Sequence, residues 1–183
     1  MAELEQTLSA RAQWNAVTSD VPCVRCGRDF VLGVAEASWM DRCLGRIQIR
    51  PFRCQVCNVR FRKRRLTSSH ARGLGRRQYV RIPSELPALL RFHDETTSTA
   101  IVKDLSIAGC EIMGELALER GATLTIQMSG LLFAGTIDVE VAVVHTSRPQ
   151  TAGLKFIRVR ELKREEIGRF LYITWKAGKI RET

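Results

Sequence analysis

The residues best equipped for chemistry fall in two short clusters. The first is Arg77-x-x-x-Arg81 with Arg76 directly before it, and the second is Asp104-x-Ser106-x-x-Gly109. Arginine carries a planar fork of donors that stays charged in proteins, so two or three close in sequence grip phosphates bidentately and stack on a base face. The second cluster supplies what arginine lacks: a carboxylate that accepts hydrogen bonds, a small hydroxyl, and a glycine where backbone must turn or approach closely. Guanine is the base whose ring and amino N–H groups offer a carboxylate such a donor edge. Together the clusters read as a clamp for a ligand with both phosphates and purines. No His, Cys or carboxylate pair forms a recognisable catalytic constellation, so the chain is not expected to be an enzyme.

Cysteines supply a second chemistry. Of the six, four stand as Cys23-x-x-Cys26-Gly27 and Cys54-x-x-Cys57-Asn58, two knuckles of the kind that hold zinc. Gly27 and Asn58 are the residue types that best tolerate the left-handed turn needed to aim both thiolates at one ion. Four thiolates around Zn²⁺ leave no position open for water, so the expected role is structural. Two disulfides, or redox chemistry at one pair, would use the same residues. The first requires an oxidising compartment, yet the start, Met1-Ala2-Glu3-Leu4-Glu5, is acidic where a secretory signal is basic and then apolar. The second comes with a thioredoxin-like βαβ pattern, which neither pair has around it. Cys43, beside Trp39, Met40 and Leu44, is expected to be a small core residue of a short helix, and Cys110 a buried strand residue. His70, His93 and His145 show no ligand spacing and are expected to be ordinary surface or strand residues.

Charge is distributed unevenly. Residues 42 to 81 hold thirteen Lys or Arg and no Asp or Glu, so the net charge of +10 is concentrated there and the rest of the chain is slightly acidic. Within that stretch Arg76, Arg77 and Arg81 belong to the clamp, whereas Arg60, Arg62, Lys63, Arg64 and Arg65 fall at the end of the cysteine module and the start of a linker. Residues 60–65 could attract any polyanion, nucleic acid included, or could simply be a solvated linker that steers an anionic ligand inward.

The elements that must position these groups change character along the chain. Thr67 to Gly75 is rich in small and polar residues with no sustained period, which marks a hinge. Beyond it, Leu86 to His93, Thr99 to Leu105, Cys110 to Met113, Thr123 to Met128 and Thr151 to Arg158 are short apolar or β-branched runs separated by turn residues. Ile137, Val139, Val141 and Val143 alternate with Asp138, Glu140, Ala142 and Val144, the period of a strand with one buried face. Six such strands predict a small closed barrel. From Glu161 the period becomes helical, with Ile167, Phe170, Leu171 and Trp175 on one stripe. No apolar run reaches the ~18 residues of a membrane span, and the protein is expected to be cytoplasmic.

The paired clusters, the lead-in Arg76 to Pro83, the later Gly153-Leu154-Lys155-Phe156 and the C-terminal helix together resemble the PilZ domain family over roughly residues 74 to 176. That resemblance implies a mainly β fold: a six-stranded antiparallel PilZ-type barrel with a C-terminal α-helix. It also implies a receptor for the bacterial second messenger cyclic di-GMP. Arg77 and Arg81 would contact phosphate and guanine, Asp104 and Ser106 the guanine edge, and Gly109 would shape the turn. Arginine at position 76 implies an intercalated ligand pair rather than a single molecule. Pro51 to Phe61 resembles the second half of a bacterial zinc ribbon, covering about residues 21 to 62.

These readings divide the chain into an N-terminal extension (1–20), a zinc-ribbon-like module (21–65), a linker (66–75), the barrel domain with its helix (76–176) and a tail (177–183). In the resembled family the arginine segment is loosely held without ligand and wraps over the dinucleotide, so binding would reorient the ribbon and signal to a downstream protein partner. Two other functions use the same features: a nucleic-acid-binding regulator that grips phosphate with ribbon and basic linker, and a ligand-independent PilZ-like protein adaptor.

Overall fold

A computed structural model describes residues 17–18, 21–34, 38–64, 78–115, 118–130 and 135–180. The chain forms two compact units, Met1–Val80 and Arg81–Thr183. The division falls inside the arginine cluster, between Val80 and Arg81.

In the first unit, β1 (Val17–Thr18), β2 (Val31–Gly33), β3 (Ile49–Cys54) and β4 (Arg60–Arg64) form one antiparallel sheet in that order. Between β2 and β3 lies α1 (Trp39–Gly45), started by a capping box in which the Ser38 hydroxyl accepts from the Asp41 amide and the Asp41 carboxylate accepts from the Ser38 amide. Among the described residues the core is small: Val21, Phe30, Val31, Leu32, Phe52, Val56, Phe61 and Val80 are its buried apolar side chains besides the cysteines, with Phe52 and Phe61 stacked 5.9 Å apart across β3 and β4. Cys43 does lie on the short helix, but it is exposed, as are Trp39 and Met40, so the expected packing role is not what the helix provides. The buried residue of α1 is instead Asp41, and the helix turns its polar side inward to satisfy it.

The second unit is a closed antiparallel barrel with strand order β10-β7-β6-β5-β8-β9, made from β5 (Ile82–Arg91), β6 (Thr97–Ser106), β7 (Gly109–Met113), β8 (Thr123–Ser129), β9 (Thr136–Arg148) and β10 (Thr151–Arg158). A 20-residue helix, α2 (Glu161–Ile180), packs on β5, β6 and β9. Its expected stripe is buried: Ile167, Phe170, Leu171 and Trp175 all face the barrel, and Trp175 is among the largest fully enclosed side chains.

Two local features depart from simple alternation. In β9, Ile137 and Val139 are buried as expected, but the buried face then passes to Ala142 and Val144 rather than Val141 and Val143. The register explains this: Ile126 faces Val139 while Leu124 faces Ala142, so β9 spends one extra residue against β8 in a bulge, and every later side chain changes face. The first barrel strand also begins at Ile82 rather than Leu86 and accommodates Pro83 and Pro87. Before Ala88 it has a ladder partner only on the β6 side, where a missing N–H is tolerated.

Candidate functional site

The second cluster is assembled by the β6–β7 hairpin. Along β6, Ala100 and Val102 point into the core, and a regular strand would place residue 104 there too. A bulge prevents this. Val102 faces Ile112 but Asp104 faces Glu111, so Lys103 is the extra residue, and Leu105 rather than Asp104 takes the next inward position. The Asp104 carboxylate, 23% exposed, is thereby delivered to the surface, where one oxygen accepts from the Glu111 amide at 3.2 Å. Both its oxygens lie 3.2 Å from one Arg81 guanidinium nitrogen. Arginine and aspartate thus neutralise each other beside the start of β5, both still in reach of solvent.

Ser106 and Gly109 close the hairpin. Ser106 is buried, donates its hydroxyl hydrogen to the Gly109 carbonyl at 2.9 Å and accepts from the Ala108 amide at 3.4 Å. That pair of bonds fixes the turn and employs the hydroxyl within it. Gly109 is required for close approach: a Cβ there would run into the backbone carbonyl of Leu154, on the strand paired with β7. The Leu154 carbonyl belongs to the Gly153-Leu154-Lys155-Phe156 run, so the two motifs read separately in the sequence meet in one ladder. Gly153 has its own constraint, because a Cβ would meet the Thr146 hydroxyl. Cys110, next to Gly109, is fully buried, and burial pushes its thiol pKa up. Of the remaining ligand candidates, Arg76 and Arg77 lie outside the described residues, as does His70. His93 and His145 are exposed.

The four knuckle cysteines come together. Cys23 and Cys57 have their sulfurs 3.6 Å apart, Cys26 and Cys54 3.7 Å, and all four lie within 4.8 Å of one another. A tetrahedral zinc with bonds of ~2.3 Å has sulfur–sulfur edges of about 3.8 Å, so the set fits that ion, whereas a disulfide needs ~2.0 Å. Gly27 (φ 70°) and Asn58 (φ 59°) adopt the left-handed conformation expected from their types. The Arg25 and Val56 amides point at the Cys23 and Cys54 sulfurs at 3.4 and 3.3 Å, the bonds that stabilise thiolates. Without an ion, burial pushes the Cys57 thiol up to about 11 and Cys54 higher still. At Cys23 burial works the same way but is outweighed by hydrogen bonds from neighbouring groups, which hold its thiol below the usual range.

Three groups not singled out from sequence matter here. Asp41, the acid immediately before the basic stretch, is fully buried and bonded to Arg60 at 2.7 Å and Arg62 at 2.8 Å. Two of the basic residues read as either a polyanion contact or a solvated linker are therefore paired within the module. The Ser38-x-x-Asp41 capping box was the legible signal. Gln55, enclosed between the second pair of cysteines, bonds to residues 78 and 80, and Arg53 lies over the Tyr79 ring at 5.3 Å. Nothing in the local sequence marks Gln55, since its partners are remote along the chain.

A family model, the PilZ domain, matches residues 75–172. The chain belongs to the PilZ family. Members of that family are cyclic di-GMP receptors or effectors rather than enzymes. Among solved structures, it is similar to the PilZ domain of YcgR from Escherichia coli with c-di-GMP, at 17% identity over 58% of this chain and 97% of that chain, TM-score 0.49. It is also similar to the K. pneumonia MrkH–c-di-GMP complex, at 15% identity over 74% of each chain, TM-score 0.48. The Bacillus subtilis inhibitor of motility matches at 15% identity over 72% of this chain and 66% of that one, TM-score 0.49. No curated protein sequence matches the chain. No helix among the described residues is long and apolar enough to cross a membrane.

Proposed function

We propose that this PilZ chain is a non-enzymatic cyclic di-GMP receptor whose arginine segment and β6–β7 hairpin hold the dinucleotide. The observation that carries the reading is the Arg81–Asp104 pair, presented at the barrel surface by a bulge that takes the aspartate off the core face. In the free protein the two charges satisfy each other. A guanine edge replaces the guanidinium at Asp104, since its ring and amino N–H groups donate to the same oxygens, and Arg81 is released to phosphate or to stacking on the base. Arg77 and Arg76 add phosphate contacts, with Arg76 favouring an intercalated ligand pair. Ser106 and Gly109 keep the hairpin in the shape that aims Asp104. Zn²⁺ held by Cys23, Cys26, Cys54 and Cys57 is structural, because all four positions are filled by protein. Binding draws the arginine segment over the dinucleotide and changes what the N-terminal module offers a downstream protein partner.

Calorimetric titration of the zinc-loaded chain with cyclic di-GMP tests this. Wild type is expected to bind near two ligands per chain, and Arg77→Ala and Arg81→Ala to lose at least about tenfold in affinity, the loss of one charge-assisted contact of ~1.5–3 kcal/mol. Equal heats from wild type and both variants would sink the receptor reading. A stoichiometry of one would remove only the paired-ligand part.

A further inference from the structure

Gln55 lies between two of the metal-site cysteines, in Cys54-Gln55-Val56-Cys57, and is 1% exposed. Its side chain is used at both ends. The carbonyl oxygen accepts from the Val80 amide at 2.9 Å, and the amide nitrogen faces the carbonyl oxygens of Gln78, at 3.4 Å, and Arg53, at 3.2 Å. Val80 is itself buried, and the Arg53 guanidinium covers the Tyr79 ring. Arg53 is fixed in turn by the Asn58 side chain at 3.0 Å, on the far side of the same knuckle. The residues being held, Gln78-Tyr79-Val80, are the three between Arg77 and Arg81. The cysteine knuckle therefore grips the interior of the arginine cluster through backbone groups of that cluster.

The geometry points to Gln55 as a positioning residue that couples the metal site to the ligand site, an inference that rests on the receptor reading above. The knuckle turn exists because Cys54 and Cys57 converge on one point, and Gln55 can reach Val80 only while that turn holds. With metal bound, the backbone of residues 78–80 is already restricted before ligand arrives, so ligand need not order it. Without metal, or without the two Gln55 bonds, that ordering falls to the ligand and its affinity drops. Linkage makes the effect mutual: if metal strengthens cyclic di-GMP binding by some factor, cyclic di-GMP strengthens metal retention by the same factor.

The test uses the full chain, wild type and Gln55→Met, which keeps the side-chain volume and removes all three side-chain hydrogen bonds. In zinc-loaded protein, hydrogen exchange at the Val80 amide is expected to be slow in wild type and fast in Gln55→Met, with zinc stoichiometry unchanged at one per chain. By calorimetry, Gln55→Met is expected to bind cyclic di-GMP on the order of tenfold more weakly, a usual size for such coupling. Stripping zinc from wild type should weaken the ligand by a comparable factor, and stripping it from Gln55→Met should add little, a non-additivity that general destabilisation does not produce. Cyclic di-GMP should slow zinc transfer to a chelator in wild type and not in the variant. Wild-type affinity in Gln55→Met together with ligand-independent zinc retention overturns the coupling and leaves the receptor standing. Absence of cyclic di-GMP binding by wild type overturns the receptor and the coupling together, and Val80 exchange then still decides whether Gln55 holds the cluster.

Discussion

At the scale of single residues, Gly109 serves the barrel by what it lacks rather than by how it bends. Gly109 was legible in the sequence as the end of a polar motif, and its type allowed either a turn or a close approach. The structure selects close approach, since the obstacle is the Leu154 carbonyl, which is backbone and cannot swing aside as a flexible side chain would. Gly109→Ala is therefore expected to pry β7 from β10 and destabilise the barrel by about 2–3 kcal/mol, the upper part of the usual range for overpacking. Chemical denaturation of the full chain checks this, following the barrel through Trp175, which is enclosed between α2 and the strands. An unchanged midpoint would mean that the strands separate freely at this point. Because Ser106 bonds to the Gly109 carbonyl, the same variant also disturbs the turn that presents Asp104.

At the scale of elements, the sequence disclosed kinds better than faces. The six barrel strands and the final helix could be read because each buries one side over most of its length, and the helix stripe through Trp175 was buried as a whole. The bulges in β6 and β9 were not readable. Each is one residue of mismatch against a partner strand, so it is a property of a pair of strands that no single strand displays. The consequence is greatest in β6, where the bulge decides whether Asp104 lies in the core or at the surface. In the ribbon, likewise, α1 was anticipated as a short helix with Cys43 in the core, but its buried residue is a carboxylate. Asp41 receives Arg60 and Arg62 from β4, side chains two residues apart and so on one face of the strand. Asp41→Ala is expected to weaken metal retention by the ribbon and to cost the module about 1–3 kcal/mol. That figure lies below a fully buried pair because the arginines are 35% and 41% exposed. Competition with a chelator measures the retention. The same variant frees two arginines, so binding to duplex DNA should rise with a steeper salt dependence; unchanged DNA binding would show that the pair does not limit it.

At the scale of the whole molecule, the proposed zinc would give the two units different sources of stability, and this separates them experimentally. The barrel unit has a continuous apolar interior, with Ile82, Leu90, Val102, Leu105, Ile112, Ile126, Met128, Ile137 and Val139 essentially inaccessible and α2 sealing one side. Among its described residues the ribbon unit has a short sheet and a handful of buried side chains, little for an independent core, whereas structural zinc sites contribute roughly 10–16 kcal/mol in small domains. Removing metal is therefore expected to abolish hydrogen-exchange protection at Phe30, Leu32 and Phe52 while Leu90, Ile126 and Val139 keep theirs. The pH dependence should divide in the same way. Burial pushes Cys54 and Cys57 up, so both must lose a proton to bind metal, and metal binding weakens as pH falls. Between pH 8 and pH 6 the ribbon's thermal transition should move down at fixed, limiting zinc. Cys110, the buried thiol of the barrel, is pushed up as well but has no metal to bind, so it stays protonated across that interval and its protonation adds no pH dependence to the barrel's transition. Calorimetric scans at the two pH values, with and without chelator, distinguish the outcomes. Two transitions of which only the ribbon's responds support separate sources of stability, and one transition that shifts as a whole would show that the barrel cannot stand without the metal site.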